Sequence, residues 1–152
     1  MMKTSQENDH DTLCSISLFL RGDNMLHSKV TKALACAPDR YWLKGEEKIT
    51  KSGAKILRKS GFWCISQVSK NNRLIETVEN LILRLGTPKN LFSIVEGLEE
   101  AELSIFFAQD CKENEGGKLS FLFPQPLLNT ISDLGVTLSF DVSFIVETPS
   151  KQ

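Results

Sequence analysis

The sequence predicts an α+β fold, a two-layer sandwich in which helices pack on one face of an antiparallel or mixed β-sheet. Three observations predict it. The strand-like segments are apolar on one parity and polar on the other, as in a sheet with one buried and one wet face. Continuous apolar runs, the mark of a parallel sheet covered on both faces, do not occur, which argues against a doubly wound nucleotide-binding fold. A length of 152 residues, with 41% apolar and 24% charged side chains, suits one globular domain rather than a disordered or fibrous chain.

Taken in order, residues 12 to 20 alternate, with Cys14, Ile16, Leu18 and Leu20 on one side and Ser15 and Ser17 on the other, the period of a half-buried strand. Asp23 or Asn24 is expected to cap a helix carrying Leu26, Val30, Ala33 and Leu34 on one face, which Pro38 then stops. Residues 39 to 61 lack a clean period and contain Gly45, Gly53 and Gly61, so a long loop or ragged hairpin around Tyr41 to Leu43 is expected. Phe62 to Val68 restores strand character. Asn71 or Asn72 then caps the strongest helix, whose apolar face is Leu74, Ile75, Val78, Leu81, Ile82 and Leu85 and whose left-handed stop is Gly86.

Thr87 and Pro88 predict a new helix with Leu91, Phe92, Val95 and Leu98 on one face and Glu96 and Glu100 on the other. Leu103, Ile105 and Phe107 alternate as a strand, broken by a loop from Asp110 to Gly117. Pro124 to Leu134 reads as a short helix ended by Gly135. The last strand is the clearest: Val136, Leu138, Phe140, Val142, Phe144 and Val146 share one parity, and Thr137, Ser139, Asp141 and Ser143 the other. The expected division is a disordered tail over 1–11, a single domain over 12–147 and a frayed tail over 148–152.

The first twelve residues are polar and carry three acids, unlike a secretory leader. The apolar stretch ending at Leu20 is far shorter than the roughly 20 residues of a bilayer span. A cytoplasmic location with no membrane contact is therefore expected. Cys14, Cys36, Cys64 and Cys111 form no C-x-x-C pair, and the histidines are His10 and His27. Neither a metal site nor a cofactor is expected from that spacing; Cys14 and Cys64 read as small hydrophobes in a reducing setting. Phosphate, dinucleotide, zinc-protease and hydrolase signatures are absent from the sequence, so no enzyme activity is expected.

The formal charge of -1 conceals two opposed segments. Between Arg40 and Arg73 nine basic residues face two acids, a balance of +7, whereas Glu96, Glu99, Glu100, Glu102, Asp110, Glu113 and Glu115 face only Lys112, a balance of -6. Either is an ordinary solvated surface or a contact, the acidic one for a cationic protein by steered association. The open sheet face, with Ser15, Ser17, Phe19, Ser104, Phe106, Thr137, Ser139, Asp141 and Ser143, is a further contact surface. It lacks the basic aromatic motif of RNA-binding sheets, so nucleic acid is a less favoured partner. Asp141 is expected to be a solvated or hydrogen-bonded carboxylate on that face.

Trp42-Leu43-Lys44-Gly45-Glu46, followed after a Lys-rich gap by Gly61-Phe62-Trp63-Cys64-Ile65-Ser66, and then by Phe140-Asp141-Val142 in the last strand, resembles the bacterial domain-of-unknown-function 4279 family over roughly residues 12 to 146. The resemblance implies a small bacterial cytoplasmic domain without an established catalytic centre, and proteins of this size and kind also serve as immunity partners of toxins. Within the motif, Trp42 and Trp63 are expected in or beside the core, Gly45 in a positive-φ turn, and Lys44 paired with Glu46 or Asp141. These residues form a partner or ligand pocket if they are functional rather than structural. The resulting expectation is a non-enzymatic immunity protein that neutralises a cognate toxin, basic and nuclease-like, through the acidic segment. The alternative is a small-ligand or nucleic-acid binding module using the Lys-rich 40–73 segment and the open face.

Overall fold

The computed structural model describes residues 12–70, 73–111 and 120–146. The 1–11 and 148–152 tails, the Asn71 and Asn72 caps, and the segment bearing Glu113 and Glu115 lie outside the described residues. The elements run β1 (Thr12–Gly22), α1 (His27–Leu34), β2 (Arg40–Trp42), β3 (Glu47–Ile49), β4 (Lys55–Leu57), β5 (Gly61–Lys70), α2 (Leu74–Arg84), α3 (Leu91–Ile94), β6 (Glu100–Cys111), α4 (Gln125–Leu134) and β7 (Thr137–Val146). This is the expected α+β class.

A five-stranded mixed sheet has the order β2-β5-β1-β6-β7, and β3 pairs with β4 in a separate hairpin. β1 lies in the middle, antiparallel to β5 from Leu13 opposite Lys70 to Gly22 opposite Gly61, and antiparallel to β6 from Thr12 opposite Gln109 to Arg21 opposite Glu100. Its alternation is realised as read: Cys14, Ile16, Leu18 and Leu20 are fully buried. Register carries the same parity into the neighbours, so Trp63 and Ile65 of β5 and Leu103, Ile105 and Phe107 of β6 join that face. Val30 and Leu34 of α1, Val78, Leu81 and Ile82 of α2, and Leu127, Ile131 and Leu134 of α4 complete the same core. β7 runs parallel to β6, an arrangement that requires a crossover; α4 lies on it.

Several local expectations give way to tertiary packing. Asp23 and Asn24 do not cap α1: the residue before it is Leu26, in extended conformation with no side-chain cap, and Leu26 and Ala33 are exposed. The Asp23 carboxylate is engaged by Lys44 instead. α2 follows Arg73 rather than a capping Asn, though its apolar face and the positive φ of Gly86 are as read. The helix expected after Pro88 shrinks to one turn, α3, bounded before it by Asn90, which takes a left-handed conformation and donates its N–H to the Asp133 carbonyl at 2.6 Å, and after it by the extended Val95. Leu91 and Val95 are buried as expected, but Phe92 is exposed. Glu96 lies in a turn, and Glu100 begins a strand rather than ending a helix.

The predicted loop over 39–61 contains ordered structure: β2 pairs with β5 at the sheet edge, and β3 with β4. Asp110 and Cys111 still belong to β6, so the strand extends past the expected break. β7 is the largest departure in burial. Its apolar row is only partly covered, with Leu138 packed on the core while Phe140, Val142, Phe144 and Val146 stand 43 to 50% exposed. Phe140 gains its cover from Phe121 and Phe123, whose ring centroids lie 5.5 and 5.7 Å away; Phe121 also stacks on Phe107 at 5.4 Å.

Three glycines let the backbone close where β1, β5 and the turn before β6 meet. A Cβ on Gly22 would enter the carbonyl oxygen of Gly97, and one on Gly61 would stand 2.6 Å from the carbonyl oxygen of Gly22. Gly97 itself has φ +78 and abuts Asn24. Because these neighbours are backbone, they cannot rotate away. Gly22→Ala should therefore destabilise the protein by about 3 kcal/mol, the upper part of the range for overpacking, read as a lower denaturant midpoint. An unchanged midpoint would show that this corner relaxes freely.

Candidate functional site

The Trp-Leu-Lys-Gly-Glu segment crosses from β2 into the β3–β4 hairpin. Alternation along β2 and β5 sends the two tryptophans to opposite faces: Tyr41 is opposite Trp63, and Trp42 is opposite Phe62. Trp63 is buried among the helices, with Nε1 donating to Thr31 Oγ1 at 3.4 Å. Trp42 lies on the open side, where one ring face stacks on Phe62 at 4.0 Å and the Arg58 guanidinium lies 3.8 Å from its centroid. Its Nε1 donates to the Ser60 carbonyl at 3.1 Å. The indole is thus held by an aromatic ring, a cation and a hydrogen bond.

Gly45 has φ +86, as the turn requires; its N–H donates to the Arg58 carbonyl, and the Arg58 N–H donates to the Glu46 carbonyl, both at 2.8 Å. Lys44 reaches back to Asp23 rather than to Glu46 or Asp141. Asp141 lies on β7, opposite Phe106, and β2 and β7 are the two sheet edges. Four strand spacings, roughly 19 Å, separate the two edges, and Trp42 lies level with Glu100 whereas Asp141 lies level with Phe106, so the motif residues do not form one pocket. An open cleft of about 590 Å³ beside the motif is lined by Arg40, Tyr41, Trp42, Lys48 and Arg58 together with Asp39, Glu46 and Glu47, mixing both signs of charge.

The acidic segment divides in space. Glu96 is paired with Lys29 at 2.6 Å. Glu100 and Glu102 flank Arg21 at 3.5 and 3.9 Å, and Ser139 donates to Glu102 at 2.6 Å. Glu99, Glu100 and Glu102 line one cleft of about 320 Å³ with Arg21, Phe92 and Thr137. Asp110 lies at the opposite end of β6, roughly 33 Å from Glu100 at the rise of a strand. Register also reorganises the open face. Ser17 and Ser66 share a hydrogen bond at 2.8 Å in its middle, while Phe19 packs toward Phe62 at 5.7 Å and lies apart from Phe106.

Trp42, Phe62 and Cys64 belong to this face although alternation alone did not place them there, and Arg21 continues the outward parity of β1. In β5, Phe62, Trp63, Cys64 and Ile65 are all buried, so no polar parity marks the outer side; the β1 register supplies it. Cys64 lies under Arg40, whose Nη2 is 3.9 Å from its sulfur. Burial pushes the Cys14 thiol from its ordinary value of 9.0 up to about 11, which suits a packing role rather than a nucleophilic one. His27 stacks on Tyr41 at 3.9 Å. Among the described residues no group of three or more His, Cys, Asp or Glu side chains is placed to hold a metal ion, and no helix is long and apolar enough to cross a membrane.

The sandwich with its braced Trp-Lys-Gly turn defines a small α+β domain in which the distinctive motif is built into the scaffold. The chain belongs to the family described as Domain of unknown function (DUF4279), whose model matches residues 12–144. No curated protein and no solved structure matches it.

The Lys44 hydrogen bond, reinforced by that cation's charge and by Ser60, holds the Asp23 carboxyl below the ordinary carboxylate value against an opposing desolvation effect. Stability from this pair is present above the unfolded carboxylate pKa and is lost as pH falls through the depressed folded value. Lys44→Met should raise the Asp23 titration midpoint toward an ordinary carboxylate, followed by carboxyl NMR; an unmoved midpoint would assign the depression to another group. Thiol labelling provides a second measurement. Cys14, Cys36 and Cys64 are buried and Cys111 is half-buried, so Cys111 should react first with a neutral disulfide reagent, whereas simultaneous labelling would mean that the core opens as fast as the edge.

Proposed function

We propose that this protein is a non-enzymatic binding domain of the immunity type, acting in the cytoplasm to neutralise a cognate toxin by covering a basic, nuclease-like surface. The observation that carries this reading is the cleft at the β6–β7 end of the sheet. Glu99, Glu100 and Glu102 share it with a single cation, Arg21, and with Phe92, which is 45% exposed. Arg21 is itself 40% exposed and its carboxylate partners stand at 3.5 and 3.9 Å, so solvent weakens their mutual neutralisation.

An arginine or lysine from a partner would meet an excess of negative charge there, while Phe92 supplies an apolar anchor. Such charge chiefly accelerates encounter and selects the partner. The Lys-rich alternative draws less support. Trp42 has Phe62 on one face and Arg58 at the other, leaving no bare indole face on which a nucleobase would stack.

A toxin-like gene beside this one, and growth arrest by that toxin relieved on co-expression, are the expected results. Normal growth on deletion with no such neighbour overturns the reading. With the toxin in hand, joint Glu99→Lys, Glu100→Lys and Glu102→Lys substitution should slow association by roughly tenfold or more at low salt and flatten its salt dependence. Unchanged kinetics would place the contact elsewhere on the molecule.

A further inference from the structure

The two edges of the main sheet differ sharply. β2 offers three residues, whereas β7 offers the ten residues Thr137–Val146. Its inner side pairs with β6 along the full length, and among the described residues no strand pairs with its outer side. Long exposed edges are normally blunted by charges, proline, bulges or a covering element. β7 has one charged residue, Asp141, and neither Pro nor Gly. Its helix-side row beyond Leu138 is apolar and about half exposed.

We infer that a second copy of this chain pairs with β7 in antiparallel orientation about a two-fold axis at Val142. The strand is self-complementary at that register. Phe140 meets the partner's Phe144, Leu138 meets the partner's Val146, and Val142 meets its own counterpart. These positions all lie on the helix-facing parity, so one apolar row continues across the junction. On the open side Asp141 meets the partner's Ser143, which can donate to it. Moving the axis to Asp141 would oppose two carboxylates, and a slip to the other parity would set the apolar row against the polar one. The contact is isologous and closed, joining two five-stranded sheets with both helix layers on the same side.

Sedimentation velocity on the full chain across the micromolar range tests the inference independently of any toxin. The expected result is a dimer. Val142→Lys places two ammonium groups at the axis and should give a monomer whose circular dichroism matches the parent and whose melting temperature, unlike the parent's, does not change with protein concentration. Ser143→Lys sets a cation opposite each Asp141, and should tighten the dimer by roughly threefold to tenfold at low salt, the effect of two added cross-strand pairs. That gain should vanish in an Asp141→Asn background. A wild-type monomer at every concentration, including one that takes up a strand only from a different protein, overturns the inference. So does a dimer indifferent to both Val142→Lys and Ser143→Lys.

Discussion

The rest of the structure depends on the two-sided pairing of β1. A central strand bonded antiparallel to both neighbours has no freedom of register, because a one-residue slip would turn Cys14, Ile16, Leu18 and Leu20 outward and Ser15, Ser17 and Phe19 inward. Once that parity is set, β5 and β6 inherit it residue by residue, and the helices have only one apolar surface to cover. The glycine corner belongs to the same constraint. β1 ends where Gly22, Gly61 and Gly97 allow three backbone segments to touch, and the Glu99 N–H donates to the Arg21 carbonyl at 2.9 Å as β6 begins.

The same pairing explains why the open face is not uniform. At the β2 side, Arg58, Trp42, Phe62 and Phe19 form a layered apolar and cationic cover, and beside it Arg40 lies over the buried Cys64. A two-stranded hairpin is marginal alone, and β3–β4 carries exposed Ile49, Ile56 and Leu57. The two backbone bonds of Arg58 close its base, and the hairpin is tied to the sheet by the Arg58 guanidinium on Trp42 and by the Lys44–Asp23 pair. The Trp-Lys-Gly segment thus braces the β2 edge, while the acidic cleft and the long β7 lie toward the other edge of the sheet.

Charge follows the same division. Sequence proximity suggested one acidic stripe; the strand geometry converts it into a cleft of three carboxylates, a Glu96 already paired with Lys29, and a distant Asp110. The reason is the rise of an extended strand, which separates residues ten positions apart by roughly 33 Å. Net charge counted along a window thus overstates how much of it one partner can meet.

The sequence by itself determined the α+β class, the strand parities of β1 and β6, the apolar face of α2, the stops at Gly86 and Gly135, and the turn at Gly45. Each is a local consequence of period or of positive φ, readable from a few consecutive residues. The family resemblance was legible in the same way, from two tryptophan segments. Tertiary structure alone decided that the 39–61 stretch supplies an edge strand and a hairpin, that the Pro88 helix is cut to one turn, and that Trp42 and Trp63 part to opposite faces. It also decided that Lys44 serves Asp23 and that β7 remains a half-covered edge. Those outcomes depend on which strands become neighbours and in what register, and contacts between residues tens of positions apart leave no periodic trace in the chain.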